Sequence, residues 1–347
     1  MRSLVGKKIV VTGGSGFLGT FVLERLLAHG ASEIFVPRSR DCNLCDRAEV
    51  ERLYAEQRPE ILIHLAATVG GIGANRRNPG RFFYDNMAMG LHVIDEARRY
   101  GQLEKLMIVG TTCSYPKYTP TPFHEEQLWN GYPEETNAPY GIAKKALFVM
   151  AQGYREQYGL ASIYLIPANL YGPGDNFEPE SSHVIPALIR KFVHAKQTAS
   201  PSVEVWGTGG ASREFLYAED AAEGIALATM RYEGKDPVNL GTGNEIRIKE
   251  LVDQIRELVG YEGETVWNAS QPDGQPRRRL DVRKALQEFG FQARTDLRTG
   301  LAKTIEWYQE TFWGEVTGSQ GSIGLTDLTE IRIAATDNKP QFRSSEA

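Results

Sequence analysis

The sequence predicts an α/β fold: a Rossmann-type doubly wound parallel sheet with a smaller α+β lobe attached. Three observations carry that reading. Short apolar runs alternate with helix-length segments through the first half of the chain. A glycine-rich turn follows the first of those runs and opens the first helical pattern. Past about Tyr171 the texture changes to loops rich in Gly and Pro. Strands separated by helices need right-handed crossovers, which cover both faces of a parallel sheet.

In order, Lys8-Ile9-Val10-Val11-Thr12 reads as a short buried strand. Phe17, Leu18, Phe21, Val22, Leu23, Leu26 and Leu27 then recur at helical spacing until Gly30 stops them. Strands are expected at residues 33–36, 60–65, 106–110 and 161–166, each an apolar run of the right length. Gly172-Pro173-Gly174, Pro179 and Trp206-Gly207-Thr208-Gly209-Gly210 read as loops, with helical patterns at 185–195 and 248–259 between and after them. Residues 1–170 are therefore expected to form the large domain. Residues 171–313 form mainly the smaller lobe, with some segments returning to the large one. Residues 314–347 are rich in Gly, Ser, Thr and Asp, with only Ile331-Arg332-Ile333 strand-like, so a loosely attached tail is expected.

Composition narrows the class. A chain of 347 residues exceeds the size at which single cores stop growing, so two lobes are expected. With 41% hydrophobic and 24% charged residues the chain can build a sizeable core, which excludes wholesale disorder. No apolar run approaches the roughly 18–20 residues of a membrane span. The start runs straight into a strand rather than a secretory leader, so a cytoplasmic protein is expected. A net charge of −5 leaves no electrostatic footprint for nucleic acid. Cys42 and Cys45 have redox or zinc spacing, but no second cysteine pair accompanies them, and no metal is expected.

Gly13, Gly16 and Gly19 follow the first strand with the spacing G-x-x-G-x-x-G. The first glycine allows a tight turn, the second lets a pyrophosphate approach the backbone, and the third lets helix and strand pack closely. The N–H groups of Ser15, Gly16, Phe17 and Leu18 at the helix start then hold phosphate charge. A dinucleotide site is the expectation. The end of the second strand chooses the cofactor, since an acid there binds a ribose hydroxyl and a base pairs with a 2′-phosphate. Arg38 arrives first and Arg40 is close behind, which favours NADP(H); Asp41 keeps NAD(H) open. Asp46 reads equally as a helix N-cap or as a contact to the adenine amino group.

Tyr140 and Lys144 stand one helical turn apart on one face. A phenol titrates near 10, too high for easy proton donation at neutral pH, and a fixed cation favours its phenolate. Lys144 can also hold the nicotinamide ribose. Alone, such a pair is usually surface decoration. Here it follows a strand that ends in Thr111 and Thr112, whose hydroxyls can bind a substrate carbonyl oxygen beside the tyrosine.

These features resemble the extended short-chain dehydrogenase/reductase superfamily. Longer stretches are similar to one family within it, the GDP-L-fucose synthases: Val69-Gly70-Gly71-Ile72-Gly73-Ala74-Asn75, Cys113-Ser114-Tyr115-Pro116-Lys117, Asn137-Ala138-Pro139-Tyr140-Gly141, and Ser182-His183-Val184-Ile185-Pro186-Ala187. Asn169-Leu170-Tyr171-Gly172-Pro173-Gly174, Arg213-Glu214-Phe215-Leu216 and Pro272-Asp273-Gly274-Gln275-Pro276-Arg277 continue the pattern. The resemblance covers roughly residues 7–310. It implies 3,5-epimerisation of GDP-4-keto-6-deoxy-D-mannose followed by reduction of the 4-keto group with NADPH.

Carried over residue by residue, Tyr140 is the proton donor in reduction and Lys144 binds the nicotinamide ribose. Thr111 stands where the family usually has serine, keeping the hydroxyl and adding a methyl. Cys113 and His183 match the epimerisation acid/base pair, and His183 also borders the cofactor. Pro167, Asn169 and Leu170 match the nicotinamide-side segment; Trp206, Arg213 and Asp273 match contacts to the GDP-sugar. Two departures stand out. Ser15 leaves the glycine loop without an arginine to assist Arg38, and Lys191 replaces a typical arginine, so a bidentate clamp becomes a point charge. A homodimer is expected, the superfamily's default. His29, His64, His92, His124 and His194 are read as structural.

The chemistry is sensible on its own terms. A ketone acidifies the C–H bonds on both flanking carbons, so a base and an acid across the ring can invert each. A thiol serves if a neighbouring cation holds it as thiolate. Two rivals remain: an enzyme reducing or epimerising a related nucleotide 4-ketosugar, separable only by turnover, and a dinucleotide-sensing regulator on the same fold. Loss of the tyrosine, lysine or hydroxyl would favour the sensor, and all three are present.

Overall fold

The computed structural model of this chain describes residues 2–271 and 273–313. The first half is a regular alternation: β1 (Lys8–Thr12), α1 (Phe17–Ala28), β2 (Glu33–Phe35), α2 (Arg47–Gln57), β3 (Ile61–His64), α3 (Ile72–Arg77), α4 (Pro79–Tyr100), β4 (Lys105–Val109), α5 (Ala138–Tyr158) and β5 (Ser162–Pro167). The second half is more broken: β6 (Asn169–Tyr171), α6 (Val184–Gln197), β7 (Ser202–Trp206), β8 (Ser212–Arg213), β9 (Phe215–Tyr217), α7 (Ala218–Arg231) and β10 (Val238–Leu240). It closes with β11 (Ile246–Arg247), α8 (Ile248–Val259), β12 (Glu264–Asn268), α9 (Arg283–Phe289) and α10 (Leu297–Trp313).

Six strands form one parallel sheet in the order β10-β5-β4-β3-β1-β2. Every residue of β3, β4 and β5 is buried, as expected of strands covered on both faces. Helix α1 packs on α7, while α4 packs against both α2 and α5. The order places β1 between β2 and β3, so successive connections leave it in opposite directions. The crevice at the carboxyl ends of β1 and β3 is the switch point where open α/β sheets bind ligands.

The expected strands are present with shifted ends. β2 stops at Phe35, while β4 begins one residue early, at Lys105. Lys105 is fully buried, and its ammonium donates to the Thr229 and Tyr232 carbonyls and pairs with Glu233 at 2.8 Å. A lysine that finds three oxygens across 124–128 residues of chain cannot be read as interior from its own neighbours.

A second apolar cluster joins α6, α8 and α10 to the parallel pair β7–β12 through Ile189, Phe192, Leu251, Ile255 and Ile305. Two short pairs, parallel β6–β9 and antiparallel β8–β11, stand beside the main sheet. Residues 314–347, including Ile331-Arg332-Ile333, lie outside the described residues, as does Pro272. Among the described residues no helix is long and apolar enough to cross a membrane, and no His, Cys, Asp or Glu group is arranged to hold a metal. Cys42 and Cys45 contact different carbonyls, those of Glu49 and Asp85.

Candidate active site

The glycine loop is shaped for close approach. Gly13 has φ +75°, a region that side chains rarely adopt, and a Cβ there would lie 2.7 Å from the Ala66 nitrogen. A Cβ at Gly19 would lie 2.3 Å from the Gly13 carbonyl oxygen, so α1 presses directly on the turn. Gly16 is the extended N-cap of α1 and offers no side-chain cap. The first N–H groups of α1 have no intrahelical partner, and Ser15 and Gly16 are exposed beside them. Turn and uncapped helix start together form an anion cradle that fits a dinucleotide pyrophosphate.

Beyond β2, Arg38, Arg40 and Asp41 are all exposed. Arg40 Nε and Asp41 Oδ2 pair at 3.3 Å on the surface, while among the described residues Arg38, the other arginine here, makes no ion pair. Asp46 caps α2, accepting from the Ala48 N–H at 2.9 Å, so the structure gives the capping alternative.

Tyr140 and Lys144 lie in the first two turns of α5, and both are buried. Two contacts fix this helix against the loop after β4. A Cβ on Gly141 would lie 2.2 Å from the Cys113 carbonyl oxygen, and Ser114 Oγ donates to the Gly141 carbonyl at 2.9 Å. Tyr164 on β5 adds a third anchor, donating to the Lys144 carbonyl at 2.8 Å. Burial and then the Cys113 charge raise the Tyr140 phenol, while a hydrogen bond with Thr111 pulls it back. Burial alone lowers the Lys144 ammonium to about 8. Thr111 starts the 3₁₀ turn Thr112–Ser114, its hydroxyl accepting from the Cys113 N–H at 3.2 Å. Tyr140, Thr111 and Cys113 therefore converge on one spot. Beneath them His64 Nδ1 pairs with Thr12 Oγ1 at 2.8 Å, and burial first, the Lys144 charge second, lower that imidazole to about 3.

His183 is the N-cap residue of α6 and opens to solvent. The protein packed around it, and secondarily the Arg278 charge, lower its imidazole from the usual value. Arg278 also reaches Cys113: its Nη1 lies 3.8 Å from Sγ, 3.2 Å from Asn169 Oδ1 and 3.3 Å from Thr112 Oγ1. It is thus the shared neighbour of the two candidate epimerisation groups. Arg213 completes the group, donating to the Ser212 and Asp273 carbonyls and lowered to about 9 by burial and then by Arg278. Among the described residues neither guanidinium hydrogen-bonds a carboxylate, so a buried positive charge on Arg278 and a partly buried one on Arg213 face the same recess.

The remaining expected contacts form its outer edge. Asp273 accepts from the Thr208 N–H and hydroxyl at 2.8 and 2.7 Å, tying its segment to the Trp206 loop. Trp206 is 54% exposed. Lys191 donates to the Glu204 carbonyl at 2.9 Å and stands 5.8 Å from the Trp206 ring centroid. Asn169 and Leu170 lie partly exposed on β6, next to buried Pro167 at the end of β5. Thr112 is buried, its hydroxyl taken by Arg278, which leaves its backbone for any cofactor contact. Sequence reasoning missed Arg278. The run Arg277-Arg278-Arg279 alternates exposed, buried and part-buried, and three identical residues give no sign of which turns inward.

Comparison with known proteins gives the family. Residues 9–241 match the NAD dependent epimerase/dehydratase family. The chain is 41% identical over 305 residues to "Probable GDP-L-fucose synthase 1" of Oryza sativa subsp. japonica, covering 88% of this chain and 93% of that protein. It is 38% identical over 313 residues to the GDP-L-fucose synthase of Escherichia coli (strain K12), covering 88% and 97%. Among solved structures, a GDP-L-fucose synthetase from Naegleria fowleri bound to NADP superposes with a TM-score of 0.82 at 28% identity, over 90% of this chain and 97% of that one.

Proposed function

As the chain belongs to the NAD dependent epimerase/dehydratase family, and aligns over most of its length with GDP-L-fucose synthases, we propose a division of labour within one pocket. The enzyme converts GDP-4-keto-6-deoxy-D-mannose to GDP-L-fucose, with NADP(H) as cofactor. Cys113 and His183 carry epimerisation at carbons 3 and 5. Tyr140, Lys144 and Thr111 carry reduction at carbon 4. The observation that supports this most is the pair of guanidiniums, buried Arg278 and partly buried Arg213, beside Tyr140 and Cys113. A GDP-sugar brings a diphosphate that neutralises such a pair, and the ring next to it then meets the acid/base groups.

The residues divide the work by chemistry. Gly13, Gly16 and the N–H groups of Ser15, Phe17 and Leu18 would hold the pyrophosphate; Arg38 would pair with a 2′-phosphate and Lys144 would bind the nicotinamide ribose. NADPH, when bound, supplies the hydride. Thr111 donates to the ketone oxygen, Tyr140 delivers the proton that completes the alcohol, and the Lys144 charge favours the phenolate left behind. Cys113 and His183 remove and return protons at the flanking carbons, which the 4-keto group acidifies. Trp206, Lys191 and Asp273 border the nucleotide end.

The test is product identification after incubating purified protein with GDP-4-keto-6-deoxy-D-mannose and NADPH. GDP-L-fucose is expected; an unepimerised 6-deoxyhexose, or no NADPH oxidation, overturns the assignment. We further infer a cytoplasmic homodimer formed through α4 and α5. Support comes from their packed outer face, where Tyr84 is 63% exposed and Phe83, Leu91, Val149 and Tyr158 are also exposed. Light scattering should give twice the chain mass, and a monomer overturns the pairing.

A further inference from the structure

The groups facing Cys113 can be named element by element. From the segment before α9, Arg278 Nη1 lies 3.8 Å from the sulfur. On β8, Arg213 interacts with the Cys113 charge, and Asp273 and Glu134 act on Arg213 in turn. On α5, the Tyr140 phenol faces it, and Thr111 lies on its own loop. Among the described residues Arg278 is the charged group that hydrogen-bonds the sulfur.

Arg278 is unusual in how it is held. Its Nε donates to Gln275 Oε1 at 3.1 Å, and its Nη1 to Thr112 Oγ1 and Asn169 Oδ1. These acceptors are neutral. They fix the guanidinium without cancelling its charge. Gln275 is itself pinned by donating to the Pro116 and Lys117 carbonyls, three and four residues past Cys113. The cation and the thiol are therefore tied to one loop, and any shift of that loop carries both. A guanidinium stays protonated at every accessible pH, and burial leaves its field weakly screened. A buried cation without an anion is costly, and among the described hydrogen-bond partners of Arg278 the sulfur is the one that readily becomes an anion.

We propose that Arg278 is the positioning residue that holds Cys113 as a thiolate, ready to take a proton from carbon. This rests on the epimerase reading above. In the step it prepares, the thiolate accepts the carbon-bound proton and becomes a neutral thiol. The electron pair of the broken C–H bond passes into the enolate. Arg278 keeps its proton throughout. A second anion, the substrate diphosphate, can meet Arg213 without displacing the sulfur, because Arg278 Nη1 carries the sulfur contact while Arg213 hydrogen-bonds the Ser212 and Asp273 carbonyls instead.

Iodoacetamide labelling of the full chain without substrate, read at the Cys113 peptide by mass spectrometry, tests the pairing apart from turnover. Arg278→Met should label roughly tenfold more slowly at neutral pH, the scale on which a nearby opposite charge favours an ionised form. Its labelling curve should move to higher pH. Arg278→Lys should recover most of the rate. Equal labelling in wild type and Arg278→Met, or faster labelling in the variant, overturns the proposal. Should Arg278→Met not fold, the ultraviolet thiolate absorbance of wild type minus Cys113→Ser decides: a band at neutral pH supports the pairing, and its absence rejects it. Labelling that behaves as expected in a protein that fails to make GDP-L-fucose would reject the substrate reading alone.

Discussion

Gly141 packs its Cα face onto the Cys113 carbonyl, so that a Cβ at this position would lie 2.2 Å from that oxygen. The residue beside Tyr140 thereby fixes how closely the start of α5 approaches the Cys113 loop. Gly141→Ala must push α5 away from the Thr112–Ser114 turn, because the obstacle is backbone and cannot rotate aside. Overpacking of this kind costs about 1–3 kcal/mol. A lower thermal midpoint is expected, together with slower reduction and slower deuterium uptake. A variant with wild-type stability and rates would mean that helix and turn are not rigidly coupled.

Tyr140→Phe removes the proton donor and keeps the ring. Reduction should fall by at least ~100-fold, the usual scale for a lost general acid. Epimerisation should persist, seen as solvent deuterium entering carbons 3 and 5. Parallel loss of both activities would contradict the division of labour.

Cys113→Ser keeps the shape but replaces a thiol with an alcohol, which ionises far less readily. Epimerisation should stop or go astray while Tyr140 still reduces the unepimerised ketone. The expected product is a D-configured 6-deoxyhexose, identifiable by NMR. Wild-type output of GDP-L-fucose would reduce Cys113 to packing.

Arg38→Ala should weaken NADPH more than NADH, by roughly 1.5–3 kcal/mol for a charge-assisted contact to the 2′-phosphate. Fluorescence titration with both cofactors measures the difference. Equal weakening would shift attention to Asp41.

His64 gives a stability profile with a definite sign. Its imidazole is lowered from 6.5 to about 3 in the folded chain. The unfolded chain therefore binds a proton that the folded one refuses, as pH falls through 6.5. Stability from this group is full above 6.5 and declines as pH drops toward 3. His64→Asn should flatten the fall of the melting temperature across that window. An unchanged slope would show that other groups govern it.

The strands and first helix of the sheet were legible because burial on both faces demands continuous apolar runs, and the glycine turn because its backbone needs residues without Cβ. Tyr140 and Lys144 were legible as a pair because helical periodicity sets their spacing. Their link to Cys113 was visible only as a family resemblance, since no local pattern announces that Ser114 and Gly141, the next residues along, hydrogen-bond across 27 residues.

The sequence by itself determined the elements, the cradle at Gly13–Gly19 and the identity of the groups able to do acid/base work, all of which follow from short-range sterics and periodicity. Only the tertiary structure decided which groups meet. It turned Arg278 inward between exposed Arg277 and part-buried Arg279, and set its Nη1 on a sulfur 165 residues away. It buried Lys105 against carbonyls 124 and 127 residues along the chain, and brought Arg40 to Asp41 while Arg38 meets no carboxylate among the described residues. Charge has no periodicity of its own. Whether a cation is solvated, neutralised or left facing a thiol depends on what the packed core brings beside it, and that is settled by burial across the whole chain.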